Sequence, residues 1–493
     1  MVMATPGMHK IVERVCARQD VLDACAKRDL GAVITVLNGH GVTQGLIAEL
    51  TGIRQGRLSE YARRKRAPMA SATFEAFASG LGMPAAARQA LGLANGQPRS
   101  LSLRLAPSQH TAAPDTGLEY PGTPGQAVDA VTMLWRGDLT SQRSSEKDPV
   151  VPAAWNDATI EWLVAPTSDP GGDTGSPGSV HVGISDVERF KATIEMFAQL
   201  DDRFGGGHAR QSLIQYLSND GDRLLRGQCP ETVRTALMSA VAEATLLAAW
   251  MSYDSAPLSG LGQRYFIQAL GLAQAAGNRL LGAGILDAMS HQATYTGRFQ
   301  EAANLARAAK TGTTGVATAT LTAHFHTMEA RALARLGDAK ACDQALSQAV
   351  RQFERRTPEN GPDWFQYFNE AELSAEFGHC LRDLNRAADA AHHAERSTAI
   401  ADSASFGRSD FFATMVLADA YLADGEPEQA CATALAALTA GEKIRSGRCV
   451  NYLREFSEHL TLIGDSAPVR DFHEQALACR LWRIAAQTSQ PAA

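Results

Sequence analysis

"VTQGLIAELTGIRQGRLSEYARRKRAP" (residues 42–68) sets a short helical pattern directly before four consecutive basic residues, 63–66. Ile47, Leu50, Ile53, Leu58 and Tyr61 recur at helical spacing. Ala48, Gly52 and Leu58 supply what two crossing helices joined by a tight turn require: a small residue at the crossing, a glycine in the turn and an apolar anchor in the second helix. The stretch predicts two short helices packed on each other, with a basic cluster at the exit.

Working outward, apolar spacing and the breaks "NGHG" and "RAP" predict helices over 20–38, 43–50, 54–63 and 71–81. A tail over 1–19 and a small all-α domain over 20–93 follow. Residues 1–92 hold twelve Lys/Arg against seven Asp/Glu, a net charge of +5, whereas the whole chain carries −7. The basic excess at one end points to an anionic partner for that end alone.

The length of 493 residues implies two to four domains, and 45% hydrophobic with 20% charged residues is the composition of a globular chain. Eight scattered cysteines without a C-x-x-C pair predict a reducing, cytoplasmic setting rather than a disulfide scaffold, and no secretory h-region is seen. The longest apolar run, 236–251, is shorter than the ~20 residues of a membrane span and contains Glu243, so it reads as a buried helix with no membrane partner.

Between 94 and 184 the chain turns to Pro, Gly, Ser and Thr, as in "PSQHTAAPDTGLEYPGTPG", and reads as a flexible linker. Trp135, Trp155 and Trp162 punctuate it, which predicts segments that dock on a folded surface. From 185 to 493 the spacing is helical. Turn anchors at Gly297 ("GRFQEA"), Gly337 ("GDAKAC"), Asn385 ("NRAADA"), Gly425 ("GEPEQA") and Gly464 ("GDSAPV") lie 40, 48, 40 and 39 residues apart. Each follows one helical run and precedes an Ala-rich one, so the unit is a helical hairpin closed by a left-handed residue. This pattern resembles the tetratricopeptide repeat, lengthened from its usual period of about 34. The resemblance implies a TPR-like α-solenoid whose concave face binds a peptide, small molecule or protein.

The opening stretch resembles the phage-repressor (Xre/Cro) helix-turn-helix, T-Q-x-x-I-A-x-x-T-G-I-x-Q-x-x-L-S-x-Y followed by basic residues and proline. "TQGLIAELTGIRQGRLSEY" matches it nearly residue for residue, and "TFEAFASGLGMP" is similar to its closing helix. The resemblance implies that the helix from Arg54 enters the major groove of double-stranded DNA while the preceding helix crosses the backbone. Arg57 then reads guanine and Gln55 adenine, with Ser59 and Glu60 as further base contacts. Gln44, Arg54, Arg63, Arg64 and Lys65 hold phosphates. Gly56 stands where the family often places a reading side chain, and the modest charge implies salt-sensitive binding by a homodimer.

Other candidates carry less. "RFGGGHAR" at 203–210 reads as a helix break, because no strand precedes it and no P-loop pattern exists. His324, His326, His392 and His393 lack the i, i+4 spacing of a helical metal face and read as surface histidines, and no cofactor, metal site or local catalytic group is expected. Trp364, Tyr367, Glu370 and Glu376, and His291 with Tyr295, combine aromatic faces with carboxylates and form the candidate ligand groove, suited to a cation or a peptide. The layout is similar to that of bacterial regulators of differentiation and antibiotic production, and implies a transcriptional regulator rather than an enzyme. The alternative is a TPR interaction adaptor whose helix-turn-helix does not bind DNA.

Overall fold

The computed structural model of the chain describes residues 12, 15, 16, 93, 18–91 apart from 41, 52, 64–70 and 82, and 117–488 apart from 141–147, 166–179, 256–257, 358–360, 366 and 401–406. The described residues are all-α: they form no strand, and a single isolated bridge joins His181 to Gln228. The chain divides into two compact units, 1–109 and 110–493.

In the first unit, helices α1 (Gln19–Ala26), α2 (Leu30–Gly39), α3 (Gln44–Thr51), α4 (Gln55–Ala62), α5 (Ser71–Gly80) and α6 (Ala85–Ala90) surround one core. The helix expected over 20–38 is two helices. Arg28 adopts a left-handed φ of 54°, the Asp29 N–H closes the turn on Ala24 O at 2.9 Å, and the Asp29 carboxylate caps α2 by accepting from the Ala32 N–H at 3.0 Å. Two threonines bracket α3: Thr43 Oγ1 accepts from the Leu46 N–H, and Thr51 Oγ1 donates to Ile47 O at 2.6 Å while accepting from the Ile53 N–H. Val33, Ile34 and Leu37 of α2, Ile47 of α3, Leu58 and Tyr61 of α4 and Phe74 and Phe77 of α5 are buried together. Gly52 lies outside the described residues.

The second unit begins well before 185. Helices α7 (Pro124–Thr140) and α8 (Pro152–Val164) lie in the stretch expected as a linker, yet Trp135, Trp155 and Trp162 are fully buried in the main core. Their large apolar surface is only part of the reason. Buried Asp138 on α7 accepts both arms of Arg210 and the Tyr265 hydroxyl, and the Arg279 guanidinium lies 3.5 Å from the Trp162 ring centre.

Then come α9 (Ile184–Phe204), α10 (Arg210–Tyr216), a π turn, α11 (Asp222–Leu225) and α12 (Glu231–Asp254), followed by α13 (Ser259–Ala275), α14 (Arg279–Tyr295), α15 (Phe299–Gly312), α16 (Ala319–Arg335) and α17 (Ala339–Glu354). The chain ends with α18 (Glu370–Asp383), α19 (Ala387–Ile400), α20 (Gly407–Ala423), α21 (Pro427–Ala440), α22 (Gly447–Ile463), α23 (Ala467–Ala476) and α24 (Arg480–Thr488). Helix α12 has the length and hydropathy of a span, but Val241, Ala248 and Met251 along it are fully buried in the protein core.

From α12 to α21 the helices pack in consecutive pairs. The five anchors read from the sequence all sit at positive φ: 76° at Gly297, 77° at Gly337, 57° at Asn385, 84° at Gly425 and 82° at Gly464. At the first four, the next residue's N–H reaches back five residues, as from Arg298 to Ala293 O at 2.8 Å, which satisfies the carbonyls of the ending helix and folds its partner back on it. Ala302, Ala303, Ala306 and Ala309 of α15 are buried, so small side chains let neighbouring helices approach closely.

The two ends of this array meet. The Arg445 N–H donates to Phe204 O at 2.7 Å, and the Gly207 N–H donates to Arg445 O. The triple glycine of "RFGGGHAR" makes the junction: Gly205 ends α9 at φ 82°, and a Cβ on Gly206 would stand 2.7 Å from Met251 O. The Gly206 N–H is spent on Asp254.

Candidate functional site

Two surfaces bear the residues singled out in the sequence. The first is the outward face of α4. Leu58 and Tyr61, three residues apart, anchor it in the core, which turns Arg54, Gln55, Gly56, Arg57 and Glu60 outward as exposed residues; Ser59 is half-buried at the edge. Gln44 at the start of α3 is half-buried and Arg63 past the end of α4 is exposed, while Arg64 and Lys65 lie outside the described residues. The fold thus presents Gln55, Arg57 and Glu60 on a single short helix, with Arg54 at its entry. Gly56 sits mid-face, and a Cβ there would meet nothing within 4 Å, so packing within the unit does not call for a glycine at that place.

The second is a cavity of about 400 Å³ inside the second unit, of a size that holds small organic molecules. The first helices of successive pairs line it, α14, α16, α18 and α20, together with α22, and α9 and α12 close one side. Of the six groove residues read from the sequence, His291, Tyr295, Trp364, Tyr367 and Glu376 line it. Glu370 does not; it turns outward to an exposed ion pair with Arg396. Glu372, on the same helix as Glu376, lines it as well.

One wall is an ion network that ties the ends of the array together. Arg408 forks onto Asp201 at 3.1 and 3.0 Å and reaches Asp254 at 3.4 Å. Asp254, fully buried, also accepts from Arg448 Nε at 2.6 Å, Ser446 Oγ at 2.7 Å and the Gly206 N–H at 3.1 Å. Burial pushes the Asp254 carboxyl up, but the Arg448 and Arg408 charges prevail and hold it below its ordinary value. Asp201 is paired with Arg408, and burial, with the Asp254 charge adding to it, leaves its carboxyl raised. The Arg448 guanidinium then covers the rings of Trp250, Tyr253 and Phe412 at 5.7, 5.1 and 4.9 Å.

Histidines fill the middle. His291 accepts or donates at 3.0 Å with the Tyr253 hydroxyl, and burial, with Arg448 adding to it, holds its imidazole well below its ordinary value, so it is neutral. His324, expected at the surface, is buried in the cavity wall because Phe365, Tyr367 and Phe368 pack edge-to-face around it. Burial alone would lower it, yet the Asp287 carboxylate 2.6 Å away holds it above its ordinary value. His326 is half-buried beside Lys310 and Glu329.

Arg331, paired with Glu376 at 2.9 Å, and Asp287, His379, Arg408, Arg448 and Tyr452 were not singled out in the sequence. Each is an unremarkable polar residue on its own helix. The signal available was repetition: Asp287 and His291, His324, Met328 and Arg331, Glu372, Glu376 and His379, and Arg448, Tyr452 and Glu455 recur at spacings of three, four or seven on alternate helices. Among the described residues no group of three or more His, Cys, Asp or Glu side chains is placed to hold a metal ion. Compared with known proteins, the chain matches no protein-family model and no curated protein.

Proposed function

We propose that the chain is a sequence-specific DNA-binding transcriptional regulator, with a helix-turn-helix first unit and a TPR-like second unit that self-associates and receives an effector in its cavity. The observation that carries the reading is the outward face of α4, where Gln55, Arg57 and Glu60, with Arg54 at the entry, project from a short helix braced by Leu58 and Tyr61. A helix so braced enters a major groove with its side chains free to meet base edges, Arg57 to guanine and Gln55 to adenine. Gly56 supports the same reading. A glycine inside a helix costs about 0.8–1 kcal/mol relative to alanine, and with open space around it the residue permits close approach by another molecule. The net +5 of residues 1–92 draws that end to a polyanion.

In this reading the cavity couples to DNA through the array. An effector with different affinity for two arrangements of the array shifts the spacing of paired DNA-binding units, and one with equal affinity shifts nothing. The test is genome-wide recovery of DNA bound by the full chain beside an Arg57→Ala, Arg64→Ala double variant. Discrete inverted-repeat sites lost in the variant are the expected result. Featureless recovery unchanged by the substitutions refutes DNA recognition and leaves the interaction-adaptor alternative.

A further inference from the structure

Two aromatic clusters border the cavity in different electrostatic surroundings. At one, the rings of Trp250, Tyr253 and Phe412 are already covered by a protein cation, Arg448. At the other, Phe365 and Tyr367 pack edge-to-face on His324, which Asp287, against the effect of burial, holds above its ordinary value, and Trp364 packs on Phe365; no arginine or lysine lies over these three aromatic rings among the described residues. Trp364 is seated against α14, where a Cβ on Gly284 would stand 2.7 Å from its ring, and Asp287 follows one turn later.

Carboxylates crowd this second cluster. The cavity is lined by eight Asp/Glu and five Arg, and every one of those arginines is already engaged: Arg331 with Glu376, Arg335 and Arg382 with Asp383, Arg408 with Asp201 and Arg448 with Asp254. Asp287, 3% exposed, uses one oxygen on His324 and leaves Oδ1 buried without a hydrogen-bond partner among the described residues. Glu372, one turn before Glu376, has the Ser409 hydroxyl as its hydrogen-bond partner and forms no salt bridge among the described residues. A buried carboxylate oxygen without a donor costs about 1–3 kcal/mol or more, and an aromatic wall beside it attracts cations.

We propose that this end of the cavity is the binding site of an organic ammonium ion with an aromatic or apolar body, its charge held by Asp287 Oδ1 and Glu372 and its body stacked on Trp364 and Tyr367. Among the described residues the buried Arg331 Nε has no partner, which leaves a donor beside the site for an oxygen of the same ligand. The proposal rests on the reading of the cavity as an effector site and is independent of DNA binding by the first unit.

The charged groups facing Glu372 are Glu376 on its own helix, His324 on α16 and Asp410 on α20. Burial first, and the Glu376 charge second, push the Glu372 carboxyl up to about 7. The carboxylate needed for a cation is therefore present above that pH and lost below it, so binding weakens as pH falls from about 8 to 6 and releases a proton where it occurs.

The experiment is calorimetric titration of the full chain with phenethylamine, with neutral N-acetylphenethylamine, and with anionic 3-phenylpropionate, at about pH 8 and pH 6. Phenethylamine is expected to bind at pH 8 at least about tenfold more tightly than either isostere, and to lose about tenfold with Glu372→Gln or at pH 6, a difference of ~1.4 kcal/mol. Asp287→Asn is run beside it, with a thermal melt to establish that it folds. A tripeptide with a free amino terminus, Phe-Gly-Gly, separates sources: tighter binding than phenethylamine assigns the ammonium to a peptide end, weaker binding to a free amine, and either supports the site. Equal binding of the three isosteres, absence of phenethylamine binding at about 10 mM, or indifference to Glu372→Gln overturns the proposal. A DNA-binding defect leaves these outcomes untouched, because the titration is made without DNA.

Discussion

Arg408→Leu removes the one guanidinium that serves two buried carboxylates at the junction of the array's ends. Asp254 retains Arg448, Ser446 and the Gly206 N–H, but Asp201, 3% exposed, loses both arms of its only fork. Removing one partner of a buried pair typically costs about 3–5 kcal/mol, because the remaining charge is left in a poorly solvated place. The exposed Glu370–Arg396 pair, with both side chains about half accessible, should contribute no more than about 1 kcal/mol when broken by Arg396→Ala. Urea unfolding followed by tryptophan fluorescence measures the difference cleanly, since all six tryptophans lie in the second unit. Burial already holds the Asp201 carboxyl above its ordinary value, and without Arg408 it rises further. The variant's native state then binds a proton that its unfolded state releases, so the deficit should shrink as pH falls. Adding Asp201→Asn should recover much of the loss at neutral pH. A cost below about 1 kcal/mol, or one that Asp201→Asn does not reduce, would sink the claim that this network clasps the array.

Gly56→Ala should raise the stability of the first unit by up to about 1 kcal/mol while weakening DNA binding; a thermal melt of the full chain and a DNA titration read the two effects, and unchanged DNA affinity contradicts the role given to the bare helix face. Gly312→Ala would place a Cβ 2.2 Å from the Trp162 ring, so a loss of about 1–3 kcal/mol is expected in the fluorescence-detected transition. For Glu372 the folded carboxyl lies above its unfolded value, so its contribution is present at low pH and is lost as pH rises through about 7. Glu372→Gln should therefore raise the melting temperature at about pH 8 and leave it little changed near pH 4.

Local chemistry made much of this protein legible from the chain. The left-handed turn residues, the capping threonines and the 3.6-residue apolar period are short-range requirements of helices, satisfied within a few residues, so Gly297, Gly337, Asn385, Gly425 and Gly464 could be read as turns and α3 with α4 as a packed pair. Leu58 and Tyr61 also determine, by their spacing, that Arg57 and Gln55 face outward. Distant packing was not legible. Proline and glycine around α7 and α8 imitate a linker, and only the pockets at Gly282 and Gly312, more than a hundred residues away, show that Trp162 belongs to the core. Asp201, Asp254, Arg408 and Arg448 come from four helices spread over nearly 250 residues, and each alone is an ordinary surface residue type. Their burial, their altered proton affinities and the cavity they enclose arise when the two ends of the array meet, because desolvation and ion pairing depend on neighbours that sequence spacing does not bring together.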